Sequence, residues 1–212
     1  MLSKLIISGL LGCSLLMAGC KANESGGNFT VSGNIKNAEN QKLLLQEVPY
    51  GGKPIITLDS ITIDKAGNYE FQFIAKQEGI YRLATDKEFE IIFINDDDNI
   101  KISADASNYS TYSVKGSNST SNLFDFLKQY RQKDSSLFAT LYNLDALQKQ
   151  NGKDSSILWL QKQKVDKIKN LNDFVETSIS SATSPAFIYY TLGLGLRSME
   201  SAIILALAKA AA

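Results

Sequence analysis

The hydrophobic pattern of the chain changes its period near residue 116. Between residues 29 and 116, short segments rich in Ile, Val, Tyr and Phe alternate with turn-forming residues: FTVSGNI, KLLLQEV, PIITLDSITI, NYEFQFIA, GIYRLAT, FEIIFI, NIKISAD and YSVKG. Short strands at this regular spacing are typical of β-sandwiches and barrels. The pattern predicts an N-terminal antiparallel β-sandwich or open barrel of about eight strands over residues 29–116.

One of these segments alternates clearly between apolar and polar residues. Tyr69, Phe71 and Phe73 fall on one face of the predicted strand and polar side chains fall on the other. This is the pattern of a half-buried strand, so we expect the aromatic face to lie in the core and not to form a ligand platform. The residues before it, 64–68, are predicted to form a hairpin turn in which Gly67 takes a positive φ.

From residue 117 onward the apolar residues follow a helical period. Three stretches carry apolar residues at helical spacing, and we expect a separate helix for each: Leu123 to Tyr130, Leu137 to Leu147, and Ile157 to Ile179. The second helix is expected to end near Asn151-Gly152, and Ser184-Pro185 suits the start of a further helix. The fold class is therefore α+β, with a C-terminal helical connector over residues 117–212. Because SAIILALAKAAA is helical in pattern and has no C-terminal cap, we expect this connector to be truncated.

The first residues have the layout of an export signal. Lys4 precedes an apolar stretch over residues 5–17, which is shorter than the roughly 20 residues of a membrane span. The motif Leu16-Met17-Ala18-Gly19-Cys20 resembles the lipobox of bacterial lipoproteins, with Met17 where that motif usually has Leu. The resemblance implies a lipoprotein signal peptide over residues 1–19, lipid attachment at Cys20 and a flexible tether over residues 20–28. An ordinary secretory signal, or an apolar helix with a buried cysteine, is the alternative.

Composition excludes several classes of chemistry. The chain has two cysteines and no histidine. Cys13 lies within the predicted signal and Cys20 is the predicted lipid site, so no thiol remains for a disulfide, a CxxC redox pair or a zinc site. Ser-His and Cys-His catalysis would need histidine. The 22 basic and 22 acidic residues balance, which gives no signature of nucleic-acid binding. We therefore expect no catalytic residue, no cofactor, no metal and no nucleic-acid partner.

Two loops and two carboxylate pairs are candidate sites. Residues 95–99, NDDDN, are acidic, but they lie between two predicted strands and lack the spacing of a calcium loop, so a turn is favoured over a metal site. Residues 50–54, YGGKP, lack the pattern of a phosphate-binding loop. An enzyme using carboxylates alone remains a third hypothesis, and its candidate pairs are Asp96 with Asp98 and Glu88 with Glu90.

The third predicted helix has two features that bear on partners. It is basic, with Lys162, Lys164, Lys167 and Lys169, and a solvated face is favoured over contact with anionic head groups. Trp159, the single tryptophan, lies far from the apolar stripe of this helix. We expect Trp159 to dock against the β domain; the alternative is packing on something outside this chain.

The lipobox-like motif, the β segment with FTVSGNI, LDSITIDKAGNYEFQF and YRL, and the helical stretch around SPAFIYY together resemble a known group. They are similar to the amino-terminal half of bacterial envelope lipoproteins of the thioredoxin-like, AhpC/TSA and TlpA-related family. In that family a β domain of unknown function and a helical connector precede a thioredoxin-fold domain with a CxxC pair. This sequence lacks that domain, so no catalytic residue can be transferred to it.

The resemblance implies a non-catalytic region that would position a thioredoxin-like thiol:disulfide oxidoreductase domain missing from this chain. The expected partners are the membrane, through the lipid anchor, and either an envelope protein client or a thioredoxin-like domain in cis. Lys21, which follows the cysteine, is not the Asp associated with inner-membrane retention, so we expect an outer-membrane protein facing the periplasm. The alternative is a complete small outer-membrane lipoprotein that binds a glycan or protein partner through its β-sandwich.

Overall fold

The computed structural model describes residues 27–87, 89–108, 112–150 and 154–195. Within these residues, eight strands are followed by three helices, which confirms the α+β class with an N-terminal β domain and C-terminal helices. The strands are β1 Gly27–Lys36, β2 Lys42–Glu47, β3 Ile56–Thr62, β4 Asn68–Ala75, β5 Ile80–Thr85, β6 Glu90–Ile94, β7 Asn99–Asp105 and β8 Tyr112–Lys115. The helices are α1 Asn118–Lys149, α2 Asp154–Ser180 and α3 Pro185–Gly195.

The strands form a sandwich of two four-stranded sheets. The first sheet has the order β4-β1-β7-β8 and the second the order β3-β2-β5-β6. All neighbouring strands are antiparallel except β1 and β7, which are parallel, with Val31 paired to Ile100. A parallel pair is possible here because no hairpin joins the two strands: the chain arrives at β7 from β6, which lies in the second sheet. Side chains from the inner faces of both sheets share one hydrophobic core.

The aromatic strand and its turn behave as predicted. Tyr69 and Phe71 are buried in the core between the sheets, and Phe73 packs against it, so the core assignment of this face is confirmed. Gly67 in the preceding turn has a φ of 84°. The carboxylate of Asp64 accepts hydrogen bonds from the N–H groups of Ala66 and Asn68, and these bonds hold the turn in shape.

A second hydrophobic core joins the helices to the outer face of the second sheet. Ile80 on β5 and Ile94 on β6 point away from the sandwich core and are buried against Phe126 of α1, Val175 of α2 and Phe187 of α3. This follows from the period of two in strands. Tyr81 and Phe93, which are adjacent to Ile80 and Ile94 in the chain, point to the opposite face and lie in the sandwich core. The sheet therefore has hydrophobic residues on both faces, and the sandwich and the helices pack as one body.

The prediction of separate first and second helices is wrong, since α1 runs without interruption from Asn118 to Lys149. The polar stretch between the two apolar groups contains neither Gly nor Pro, so nothing in it breaks the helix. Its partner helix also supports it, because the ammonium group of Lys167 on α2 donates to the Ser136 carbonyl at 3.0 Å and to the Thr140 hydroxyl at 2.8 Å.

The tether was predicted over residues 20–28, but the first strand already begins at Gly27. Gly27 and Asn28 belong to β1, where they pair with Ala75 and Ile74 of β4. Main-chain hydrogen bonding does not depend on the polar side chains that suggested a flexible tether. Cys20 and the rest of residues 1–26 lie outside the described residues, as do 196–212. No helix in the described ranges combines the length and the apolar character that crossing a membrane requires.

Candidate functional site

A groove of about 540 Å³ opens at one edge of the sandwich, where the two sheets part. We call it the edge groove. It lies between β3, the edge strand of the second sheet, and β4, the edge strand of the first. Its floor and walls come from these strands and from the loops that follow β2 and β4, and they include Glu47, Tyr50, Lys53, Leu58, Ile74, Glu78 and Tyr81.

At the groove, β3 and β4 contribute apolar side chains that no other strand among the described residues covers. Leu58, at the bulge where β3 shifts its register against β2, is 41% exposed, and Ile74 on β4 is 78% exposed. An edge strand also presents main-chain N–H and C=O groups that no further strand pairs. Exposed apolar side chains next to a free strand edge are features of surfaces that bind other molecules.

Two tyrosines give the groove polar groups that stay neutral. Burial, followed by the nearby Glu78 carboxylate, Tyr189 and the Glu47 carboxylate, raises the pKa of Tyr50 to about 12. Burial, followed by the charge of Glu47, likewise raises the pKa of Tyr81 to about 12. Both phenols are therefore protonated at neutral pH. The Tyr50 hydroxyl donates to the Glu78 carbonyl at 3.5 Å and keeps an acceptor site, whereas the Tyr81 hydroxyl can donate to a ligand.

The inner end of the groove is fixed to the helices. The Tyr50 ring packs against that of Tyr189 on α3, with their centroids 4.3 Å apart. Glu78, in the loop between β4 and β5, accepts a hydrogen bond from the Ala186 N–H at 3.0 Å and another from the Ser184 hydroxyl. Since Ser184 also accepts from the Phe187 N–H at 3.0 Å, the two side chains together cap the start of α3.

The chemistry that this arrangement supports is binding. Apolar side chains on both walls, neutral phenols and a free strand edge suit an extended chain or a hydroxyl-rich ligand with an apolar face. Over residues 27–87, 89–108, 112–150 and 154–195, no cluster of three or more acidic or thiol side chains forms a potential metal site.

The acidic segment over residues 95–99 has the structural role expected of a turn. The Asn95 side chain accepts from the Gly79 N–H at 2.6 Å, and Asp97 accepts from the Asn99 N–H at 3.0 Å. Asp96 accepts from the Ser119 N–H at 2.8 Å, in the first turn of α1, where a carboxylate also compensates the helix dipole. These contacts join the turn to the helical part and support its interpretation as a structural element.

Of the second candidate carboxylate pair, Glu88 with Glu90, the structure describes Glu90 alone. Glu88 lies outside the described residues, and so does the predicted lipid site, Cys20. Glu90 forms an ion pair with Arg82 across β5 and β6, with 2.6 Å between Oε2 and Nη1. Arg82 also donates to the Gln46 side chain at 2.6 Å. Glu90 therefore has a cross-strand partner on the outer face of the sheet.

The prediction that Trp159 docks against the β domain is wrong. Its side chain is 61% exposed, and it lines a shallow cavity of about 610 Å³ together with Leu147 and Leu160, between α1 and α2. The reason is geometric. The apolar stripe of α2 faces α1 and the sheet, and Trp159 lies on the opposite side of the helix, in the part of the hairpin that extends beyond the sandwich.

The prediction of a solvated face holds for two of the four lysines of α2. Lys162 and Lys169 are exposed, and Lys169 pairs with Asp173 one turn later at 2.6 Å. Such exposed pairs contribute little to stability. Lys164 is half-buried, and Lys167 is bound to α1 by the two hydrogen bonds described above.

The edge groove itself was missed by sequence reasoning. In the sequence, Tyr50 falls in a predicted loop, and Leu58 falls in a predicted strand whose pattern does not show that it lies at an edge. The one available signal was the segment PIITLDSITI, which has apolar residues at both even and odd positions. A strand with this pattern needs cover on both faces, and β3 does not have it.

No curated protein matches the sequence significantly. Among solved structures, the chain is similar to (S)-allantoin synthase with a TM-score of 0.30 and 8% identity, over 44% of this chain and 45% of that one. The chain thus spans less than half of that protein, and a similarity this remote says nothing about function. The segment from β1 into the first turns of α1, residues 29–123, matches the family model of a domain of unknown function, DUF4369.

Proposed function

We propose that this chain is a non-catalytic, lipid-anchored region of the bacterial cell envelope. Its role is to position a downstream thioredoxin-like thiol:disulfide oxidoreductase domain that is not part of this sequence. The observation that carries the proposal is the order of the parts: a lipobox-like motif ending at Cys20, a short tether, and a folded body that begins at Gly27. The packing of that body supports it.

A region that positions another domain needs a fixed junction between its own parts, and hydrogen bonds and a shared core join the sandwich to the helices. Ser117 caps α1 by accepting from the Thr120 N–H at 2.9 Å. The Thr120 hydroxyl accepts from the Ile94 N–H at 2.9 Å and donates to the Ile94 carbonyl at 3.1 Å, so α1 is hydrogen-bonded to the end of β6. With Ile80 and Ile94 buried against all three helices, the helical part is held in a defined orientation on the sheet.

The anchor follows from the chemistry of acyl chains. Each buried CH₂ group contributes about 0.8 kcal/mol, so one chain binds a membrane reversibly and two or more hold it firmly. A lipidated Cys20 would place the sandwich within a few residues of the membrane surface. The outer membrane, facing the periplasm, is the location that Lys21 favours.

Lipid attachment can be tested directly. The full chain is expressed in a bacterium with an alkyne-labelled fatty acid, and the label is detected on the protein after membrane fractionation. We expect labelling of the wild type and of the Cys13→Ala control, and none of Cys20→Ala, which should also leave the membrane fraction. Equal labelling of Cys20→Ala would contradict the anchor.

The downstream domain is tested by the DNA that follows the codon for Ala212. We expect the reading frame to continue into a second globular domain containing a W-C-x-x-C motif. A stop codon directly after Ala212 would contradict the positioning role and leave the anchor intact, so the two parts of the proposal fail separately.

A second candidate function is a complete lipoprotein that binds a glycan or a protein partner through its sandwich. The edge groove favours this function, because Leu58 and Ile74 leave apolar surface exposed beside a free strand edge.

This candidate is tested with a panel of soluble glycans and a panel of extended peptides of alternating apolar residues, measured by calorimetry. Leu58→Asp should abolish binding. The matched control is Leu158→Asp, an exposed leucine on α2 far from the groove, which should bind as the wild type does. Absence of binding across both panels, or equal loss in the two variants, would contradict this function.

A further inference from the structure

The single tryptophan lies in a cavity between the last turns of α1 and the first turns of α2. We call it the tryptophan cavity. Its volume of about 610 Å³ falls within the range of about 300–1,000 Å³ that small-molecule sites occupy. The Trp159 side chain is 61% exposed, although burial of an indole normally stabilises a protein. An aromatic ring left open to solvent in a concave site is free to contact a ligand.

Uncharged polar side chains surround the indole. Asn143 and Gln150 of α1 contribute carboxamides, and Ser155 and Ser156 of α2 contribute hydroxyls. Because Asn143 and Gln150 are two turns apart, they lie on the same face of α1, about 10 Å from each other along its axis. Both helices therefore present hydrogen-bonding groups to one opening.

These polar groups are not used within the part of the chain that the structure describes. None of the four side chains, nor the indole N–H of Trp159, makes a hydrogen bond to another described residue. A carboxamide offers donor and acceptor atoms, and so does a hydroxyl. The tryptophan cavity can therefore both donate hydrogen bonds to a ligand and accept them from it.

The charge of the lining narrows the class of ligand. No charged side chain lines the cavity among the described residues, and Asp145 and Lys149, on the same part of α1, pair with each other at 2.7 Å. A phosphate or an ammonium group would find no counter-ion in this lining. Leu147 and Leu160 supply its apolar part. The lining thus suits an uncharged ligand with an apolar face and several hydroxyl groups, and a sugar ring has these properties.

We propose that the tryptophan cavity binds a short, uncharged oligosaccharide. One sugar ring packs its apolar C–H face on the indole of Trp159, and the hydroxyl groups of the sugar bond to the carboxamides of Asn143 and Gln150. A proline-rich peptide can also stack on tryptophan, but the grooves that recognise such peptides are lined by several aromatic side chains, and this cavity has one. The site is separate from the edge groove, and it requires neither the lipid anchor nor a downstream domain.

Binding can be measured through Trp159 itself, because it is the only tryptophan in the chain. The full chain, purified in a detergent without a sugar head group, is titrated with cellobiose, maltose and chitobiose while its fluorescence is recorded. We expect a saturable change in emission with at least one disaccharide and a Kd in the millimolar range, as an open site for a small ligand gives. No saturable change with any of them, or saturation by a proline-rich peptide alone, would overturn the proposal.

The carboxamides are tested with the fluorescent group intact. Asn143→Ala combined with Gln150→Ala should weaken binding about tenfold, because two hydrogen-bonding groups are lost. The matched control is Gln148→Ala, an exposed carboxamide on α1 outside the cavity, which should bind as the wild type does. Leu58→Asp in the edge groove should also leave binding unchanged. Wild-type affinity in the double variant, equal loss in Gln148→Ala, or loss of binding in Leu58→Asp would contradict the assignment to this cavity.

The stacking contact is tested by a measurement that does not need tryptophan fluorescence. Saturation-transfer NMR detects magnetisation passed from the protein to the bound disaccharide. Trp159→Ala should abolish the transfer, and Trp159→Phe should retain part of it because a phenyl ring restores an aromatic face. Since the side chain is 61% exposed, both variants should unfold at the same urea concentration as the wild type. Equal transfer in the wild type and in Trp159→Ala would overturn the proposal.

Discussion

The Tyr69 hydroxyl on β4 donates a hydrogen bond of 2.9 Å to the Ile102 carbonyl on β7, across the strand that separates them. The residue between the two is Gly33 on β1, which pairs with both. A Cβ atom at Gly33 would lie 1.8 Å from the Ile102 oxygen, so only glycine leaves room for this contact. Burial raises the pKa of Tyr69, which keeps the phenol a donor.

Removing this hydrogen bond is expected to destabilise the sandwich. Tyr69→Phe leaves the buried Ile102 carbonyl with one partner fewer and should lower the free energy of unfolding by about 1–3 kcal/mol in urea titrations. Gly33→Ala should cost more, because a Cβ there overlaps main chain that cannot move without breaking β1 from β7. Gly27→Ala, where a Cβ meets nothing within 4 Å, is the control and should change little. An unchanged free energy of unfolding in Gly33→Ala would contradict the close approach of β1 to the Ile102 carbonyl.

The cap of α3 gives a second prediction. Ser184→Ala removes the acceptor for the Phe187 N–H and should cost about 1 kcal/mol of unfolding free energy. Because Glu78 bonds to both Ser184 and the Ala186 N–H, Ser184→Ala and Glu78→Ala should not be additive. Ser181→Ala, an exposed hydroxyl at the end of α2, serves as control. Strict additivity in the double-mutant cycle would argue against a shared cap.

Acid should weaken the turn at Asp64. Hydrogen bonds from the main chain and side chain of Asn68 hold the pKa of Asp64 below its usual value. The stabilisation is therefore complete above the unfolded-state pKa of about 3.9 and is lost as the pH falls through the lower folded-state value. We expect the stability difference between the wild type and Asp64→Asn, measured by denaturation, to shrink between pH 6 and pH 3. A difference that stays constant with pH would contradict this.

High pH should lower the free energy of unfolding through the two tyrosines of the edge groove. The folded-state pKa of about 12 for Tyr50 and Tyr81 exceeds the unfolded value of about 10, so their contribution is complete below pH 10 and is lost as the pH rises towards 12. The double variant Tyr50→Phe and Tyr81→Phe should lose less unfolding free energy than the wild type between pH 9 and pH 11. Tyr142→Phe, at an exposed position, should match the wild type.

The single tryptophan offers a simple optical check. Because Trp159 is 61% exposed, its emission maximum should lie close to that of tryptophan in water, and acrylamide should quench it efficiently in the native protein. A blue-shifted, protected emission would instead indicate that Trp159 is covered, as the sequence-based expectation had it. Leu160→Ala, beside it, tests whether the neighbouring cavity influences the signal.

The sequence by itself determined the elements. Alternation at Tyr69, Phe71 and Phe73 placed that face in the core, and Gly67 was assigned its positive φ, because both depend on residues adjacent in the chain. The α+β class followed from the change of period near residue 116. The break expected between the first two helices was wrong because a polar stretch without Gly or Pro continues a helix when a neighbouring helix supports it.

Only the tertiary structure decided how these elements meet. Local period cannot tell which strand lies at an edge, so neither the exposure of Leu58 and Ile74 nor the groove between them could be predicted. The parallel pairing of β1 with β7 brings together residues distant in sequence, and it alone explains why position 33 must be glycine. The exposure of Trp159 likewise depends on how far the helical hairpin extends beyond the sandwich. Periodicity reports which face of an element is apolar, whereas burial of that face depends on contacts between distant segments.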